Sequence, residues 1–206
     1  MPLTKTVFRE KCLNKIKNSP KHNKIYKNAK IFTTLSCKLK NIKNKKILFY
    51  TSLPFEADTS KSIKSLRKKC DIFVPFMQGE SFKMVPFRLP LEKKKFGIYE
   101  AGNSLRNIKK IDIAIVPIVG VDGNLQRVGF GKGMYDRFFA KLKKKPYIIF
   151  IQSELCYTKE FICDEYDIAC DLIITPDNTV QNSAIAIKNR KQDVKRSTNR
   201  RRCSRS

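Results

Sequence analysis

Five short apolar runs constrain the fold more than anything else in the chain. They are Lys46-Ile-Leu-Phe-Tyr50, Asp71-Ile-Phe-Val-Pro-Phe76, Ile111-Asp-Ile-Ala-Ile-Val-Pro117, Pro146-Tyr-Ile-Ile-Phe-Ile151 and Asp171-Leu-Ile-Ile-Thr175. The most continuous of them, 111–117 and 146–151, show little apolar–polar alternation, which is how a strand covered on both faces reads. A helix is expected over Ser60–Lys69, capped by Asp58 or Thr59, and another over 133–144. Residues 46–76 therefore predict a βαβ unit, and the whole pattern predicts an α/β fold with a mostly parallel sheet flanked by helices. Phe82–Phe87 reads as a short strand, placed at an edge or an end by Pro86.

Charge sharpens the organisation. Of 206 residues, 44 are Lys or Arg and 18 are Asp or Glu, a net charge of +26. Residues 1–50 hold 14 basic residues against one acidic, and residues 177–206 hold nine against two. Phe8, Cys12, Leu13 and Ile16 share one face of a helix over 4–17, which Pro20 should end. Ile25, Ala29, Phe32, Leu35 and Leu39 trace a second helix. The N-terminal third thus reads as two helices with solvated lysine faces. Beyond Ile187 the chain offers only Val194 as an aliphatic residue, so 177–206 is expected to be a basic, disordered tail on a single domain over 1–176.

Several chemistries drop out. One histidine, His22, excludes a zinc motif built on paired histidines. Seven cysteines without a CxxC pair suggest buried or half-buried thiols in a reducing cytosol, so a cytoplasmic protein is expected. No stretch approaches the ~20 apolar residues needed to cross a bilayer, and Met1–Lys5 opens no secretory core.

The chemistry concentrates in Arg127-Val-Gly-Phe-Gly-Lys-Gly-Met-Tyr-Asp-Arg137. Glycines alternate at 129, 131 and 133, just before a helix. Such a loop turns its N–H groups toward one point and lets an anion approach closely. Arg127 and Lys132 flank it and can neutralise phosphate oxygens. Asp136 offers a hard oxygen for magnesium. The segment is neither a Walker A loop nor GxGxxG. A tight turn before a helix accounts for glycines alone; together with Arg, Lys and Asp in this order they favour a nucleotide-phosphate site.

The same segment resembles the R-L-G-x-G-x-G-Y-Y-D signature of the 5-formyltetrahydrofolate cyclo-ligase family. Lys5-Thr-Val-Phe-Arg9, Tyr50–Thr59, Gly97-Ile-Tyr-Glu100, Phe150-Ile-Gln152, Tyr166-Asp167 and Asp171–Thr175 follow in the family's order. The resemblance covers residues 3–176. It implies ATP- and magnesium-dependent closure of 5-formyltetrahydrofolate to 5,10-methenyltetrahydrofolate through a phosphorylated formyl group, releasing ADP and phosphate. By motif position, ATP would meet Lys5, Thr6, Val7, Phe8 and Arg9, and then Arg127, Val128, Gly129, Phe130, Gly131, Lys132, Gly133, Met134 and Tyr135. Catalysis would fall to Arg127, Lys132 and Tyr135. Folate would meet Thr51 and Glu56 together with Phe130, Gly131, Lys132, Gly133 and Met134. Magnesium would sit on Asp136 and Asp167. Ala101, Ile118, Met134 and Tyr166 depart from the family pattern.

A small-molecule substrate is the expected partner, with the folate possibly carrying a polyglutamate chain. A monomer is expected, and no membrane; nucleic acid would make only weak, non-specific contact with the basic tail. Two other readings compete with this one. The charge fits a nucleic-acid-binding protein, although no recognition motif accompanies it. The glycine loop also fits an α/β phosphotransferase acting on another substrate.

Overall fold

The computed structural model describes residues 2–19, 23–88, 90–93, 99–104, 108 and 110–182. Pro20, His22, the Gly97-Ile98 half of one family match, Cys203 and the tail beyond Asn182 lie outside the described residues.

Helices α1 (Lys5–Lys17) and α2 (Lys24–Lys38) come first. The chain then alternates through β1 (Lys46–Leu48), α3 (Ser60–Leu66), β2 (Asp71–Gln78) and β3 (Ser81–Pro86). Short strands β4 (Glu92–Lys93) and β5 (Tyr99–Glu100) pair with each other. After β6 (Ile113–Pro117) come the two-residue strands β7 (Gly120–Val121) and β8 (Arg127–Val128), then α4 (Met134–Ala140). The last strands are β9 (Tyr147–Ile151), β10 (Leu172–Ile174) and β11 (Thr179–Gln181).

Seven strands form one sheet in the order β11-β10-β9-β6-β1-β2-β3. The five inner strands run parallel, and β3 and β11 close the two edges as antiparallel partners of β2 and β10. The expected βαβ unit is β1-α3-β2, and the strand holding Pro86 does lie at an edge. Thr59 stands at the N-cap of α3 but its hydroxyl donates to the Tyr50 carbonyl, and it is Asp58, one residue earlier, that accepts from the Ser60 N–H at 2.9 Å.

Along β6, alternate residues serve opposite faces. Ile113 and Ile115 pack with Ile31 and Leu35 of α2 and Ile63 and Leu66 of α3. Ala114 and Val116 pack with Phe138 and Phe139 of α4. A sheet covered on both faces explains the near-continuous apolar runs. Helix α1 stands apart, burying Phe8, Cys12 and Ile16 against Val119 and Val128.

Two expectations change. The sheet continues past residue 176, since β11 pairs residue by residue with β10; its side chains are exposed, so no apolar pattern announces it. Cys12 and Cys156 form a disulfide across a sequence separation of 144, where free thiols were expected. Cys37, Cys70, Cys163 and Cys170 do remain free. Only the folded chain brings Cys12 on α1 beside Cys156 beyond β9. Among the described residues no helix is long and apolar enough to cross a membrane.

Candidate active site

Strand order changes direction between β1 and β6: β2 lies to one side of this pair, β9 and β10 to the other. Loops leaving the carboxyl ends of two such strands diverge and open a crevice. The 51–56 loop follows β1, and the glycine loop follows β6 by way of the β7–β8 hairpin.

The hairpin aims the first site residue. Asp122 is fully buried, and its carboxylate accepts from the N–H groups of Asn124 (2.9 Å), Gln126 (3.0 Å) and Cys163 (3.1 Å). These contacts hold the turn, including Leu125 at φ 56°. Arg127 then points inward with 5% of its surface exposed. Its Nε donates to the Pro117 carbonyl at 3.1 Å, its Nη1 stands 3.5 Å from the Asp136 carboxylate, and its guanidinium lies 4.9 Å from the Tyr135 ring centre. Burial pulls the Arg127 pKa down, and Asp136 opposes the shift. A guanidinium stays charged even so.

Gly129 leaves room for that guanidinium: a Cβ there would lie 2.3 Å from Arg127 Nη1. Gly131 and Gly133 take φ of +92° and +56°, the region that favours glycine. Arg9 reaches over from α1, its Nε donating to the Gly129 carbonyl at 2.9 Å.

Lys5, one turn earlier on α1, pairs with Asp167 and, at 3.3 Å, with Asp164. Burial would lower the Lys5 ammonium pKa, but hydrogen bonding and charge pairing with Asp167 hold it above the ordinary value. Tyr166 donates its hydroxyl to Asp164 at 2.8 Å and turns its ring toward Lys5, 5.7 Å away. Lys5, Arg9, Arg127, Lys132, Asp136 and Asp167 line a common cavity of about 510 Å³.

The 51–56 loop lies beside the glycine loop, but Thr51 and Glu56, like Phe130 and Tyr135, are not among the residues lining this cavity. Phe55 packs on Phe130 with ring centres 5.5 Å apart, joining this loop to the glycine loop. The Glu56 carboxylate accepts from the Leu53 N–H at 2.8 Å. Burial pushes the Glu56 carboxyl up to about 7, against the pull of that N–H and of Arg127. Burial likewise raises the Tyr135 phenol, and Glu56 adds to the shift. Glu56 and Tyr135 thus both respond to the charge of Arg127, which itself lines the cavity.

Not every expected residue reaches the site. Thr6 and Val7 are exposed, Phe8 is buried in the core, and only Lys5 and Arg9 of that helix line the cavity. Helical periodicity is the reason: positions i and i+4 share a face. Val128 is fully buried beside Phe8, and Met134 packs into the α4 core. Thr51 lies half-buried in the loop after β1. Ala101 and Ile118 are core residues. Sequence reasoning did not select Asp164 or Arg137, which also line the cavity; Arg137 had a visible signal, since it closes the glycine segment.

The family model of the 5-formyltetrahydrofolate cyclo-ligase family matches residues 3–176. The chain belongs to this family. Among cyclo-ligases of known name, it is 29% identical over 104 residues to the 5-formyltetrahydrofolate cyclo-ligase of Mycoplasma pneumoniae, covering 50% of this chain and 62% of that enzyme. The mouse 5-formyltetrahydrofolate cyclo-ligase is 26% identical over 152 residues, covering 66% of this chain and 75% of the relative. The alignment to the Mycoplasma enzyme thus spans a little under two thirds of its length. The cyclo-ligase fold is shared with the 5,10-methenyltetrahydrofolate synthetase of Aquifex aeolicus, at a TM-score of 0.73 and 24% identity, covering 87% of this chain and 93% of the other.

Proposed function

We propose that this protein uses ATP to close 5-formyltetrahydrofolate to 5,10-methenyltetrahydrofolate, with ATP held between α1 and the glycine loop and folate against Thr51 and Glu56. One observation carries the reading. Five cations, Lys5, Arg9, Arg127, Lys132 and Arg137, share a cavity with the carboxylates of Asp136, Asp164 and Asp167 at the carboxyl ends of parallel strands. A triphosphate needs that charge, and its transfer chemistry needs positioning more than a protein nucleophile.

The oxygen of a formyl group attached to nitrogen is a poor leaving group until it is phosphorylated. It attacks the γ-phosphorus, the bond to ADP breaks, and nitrogen-10 then adds to the activated carbon, its proton passing to solvent as phosphate leaves. Arg127 and Lys132 neutralise the charge that develops on the phosphoryl oxygens. Tyr135 lies between Arg127 and the aromatic packing of Phe82 and Phe139, which holds its ring next to Arg127. Glu56, as a carboxylate, accepts paired N–H donors of the pterin ring.

The acidic residues fit magnesium. That ion is usually bound by one or two carboxylates plus substrate phosphates and not by a closed protein cage. Asp136 and Asp167 both face the cavity, and among the described residues no three acidic, cysteine or histidine side chains form a closed cluster. When bound there, magnesium would neutralise phosphate charge and orient the triphosphate.

Incubation of the protein with ATP, magnesium and 5-formyltetrahydrofolate should generate the methenyl chromophore with one ADP per product. Absence of product with folded protein and saturating substrates would rule the reading out.

A further inference from the structure

Each glycine of the loop lies against a different guanidinium. A Cβ on Gly129 would meet Arg127, one on Gly131 would lie 3.8 Å from Arg9, and one on Gly133 would lie 3.0 Å from Nη1 of Arg137. Arg9 and Arg127 already have a role in the proposed site. Arg137 lines the same cavity without one.

Arg137 stands on α4, and its guanidinium runs back along the loop. Nε donates to the Glu80 carbonyl at 3.1 Å, while Nη2 donates to the carbonyls of Glu80 and Lys132. Glu80 belongs to the tight turn between β2 and β3, where Gly79 takes φ +59°. The hairpin is itself anchored beside α4. The Ser81 hydroxyl donates to the Met134 carbonyl at 3.2 Å, and Phe82 stacks on Phe138 at 4.3 Å. The sheet edge, the glycine loop and the start of α4 therefore meet at one side chain.

We propose that Arg137 is a positioning residue of the phosphate-binding loop. Its planar fork ties the Lys132 carbonyl to the β2–β3 turn and presets how Lys132 and the loop N–H groups face a triphosphate. The inference rests on the ATP reading of the cavity. Lys132 lies between two glycines in the left-handed region. Glycine has more backbone freedom to lose than any other residue, so a loop held beforehand binds at lower entropic cost than one ordered by the ligand. Arginine suits the task because one rigid fork reaches two carbonyls, whereas a lysine offers a single ammonium.

The test uses the full chain with Arg137→Ala and Arg137→Lys. ATP binding is measured by calorimetry, and KM is measured separately for ATP and for folate. Arg137→Ala should weaken ATP binding and raise the ATP KM about tenfold, roughly the cost of ordering one further residue. The folate KM should stay within twofold. Arg137→Lys should fall between, and added guanidinium ion should restore ATP affinity to Arg137→Ala without changing the wild type. ATP affinity within twofold of wild type in the folded variants would overturn the inference, as would a loss confined to melting temperature. Arg137→Lys decides the matter if Arg137→Ala does not fold. A wild-type protein that binds ATP but makes no methenyl product overturns the folate reading alone, and calorimetry still decides on Arg137. A wild-type protein that binds no ATP overturns both.

Discussion

The sheet has a cavity at each end, and the larger one lacks the features that suit the smaller to catalysis. At the amino-terminal ends of β1 and β2, about 710 Å³ opens among Lys46, Arg67, Arg88 and Lys110, over a floor that includes Ile72, Phe73 and Phe87. The cavity at the carboxyl ends is about 510 Å³. Both are basic, so charge and volume do not separate them. Backbone does. The smaller cavity has left-handed glycines, an arginine only 5% exposed and hydrogen-bonded to main chain, and three carboxylates facing the same space. In the larger, Arg67 and Arg88 are exposed side chains on surface elements, and Asp71 is the lone acid of its lining. A basic surface attracts anions; a pre-shaped one can hold a particular anion while it reacts.

The sharpest way to break this contrast is Arg127→Ala. Turnover should fall by roughly 10²–10³-fold, the scale of losing one preorganised electrostatic contact. The half-buried Asp136 side chain would also lose its ion-pair partner, which lowers stability by about 2 to 3 kcal/mol. Lys132→Ala, at an exposed position, should lower turnover on the order of tenfold to a hundredfold with little change in melting temperature. Equal losses of folding and activity at Lys132 would make that residue structural. Initial rates of methenyl formation and thermal melts read both.

Glu56 sharpens the comparison through pH. Its folded pKa of about 7 lies above the ordinary 4.5, so folding favours the neutral acid. The stability it contributes is complete below about pH 4.5 and is lost as pH rises to about 7. In ligand-free protein, Glu56→Gln should leave the melting temperature unchanged near pH 4.5 and raise it above pH 7. Folate binding needs the carboxylate, so the wild-type folate KM should fall as pH rises through 7, by about tenfold overall, and Glu56→Gln should flatten that profile. A wild-type KM independent of pH from 6 to 8 would remove Glu56 from the folate site.

The smallest effect belongs to the other end of the sheet. Neutralising Lys46, Arg67 and Arg88 together should leave turnover and both KM values within twofold. A larger loss would mean that the two cavities are coupled.

Much of this architecture was legible because a parallel sheet covered on both faces leaves uninterrupted apolar runs. Ile113–Pro117 and Tyr147–Ile151 gave themselves away for that reason. The β7–β8 hairpin did not. Its strands are two residues each, and its shape depends on the Asp122 carboxylate bonding to N–H groups as far away as Cys163. At the site, Arg127, Lys132 and Asp136 stood within one readable segment, and the family resemblance added Lys5, Arg9, Glu56 and Asp167. The resemblance could not separate Lys5 and Arg9 from the three residues between them, which the turn of α1 directs elsewhere. Asp164 gathers around Lys5 only through contacts 159 residues apart in sequence. Arg137 was in view, but its carbonyl partner at Glu80 lies 57 residues away.

The bond between Cys12 and Cys156 makes most of the polypeptide a closed ring. Five strands of the large sheet, β1, β2, β3, β6 and β9, lie within it, and β10 and β11 lie outside. A single proteolytic nick between those cysteines would therefore leave one covalent molecule, whose fragments separate on a denaturing gel only after reduction. A nick beyond Cys156 would release its fragment with or without reductant. In the nicked ring the new ends could not diffuse apart, and α1, with Lys5 and Arg9, would remain tethered beside the segment that leaves β9.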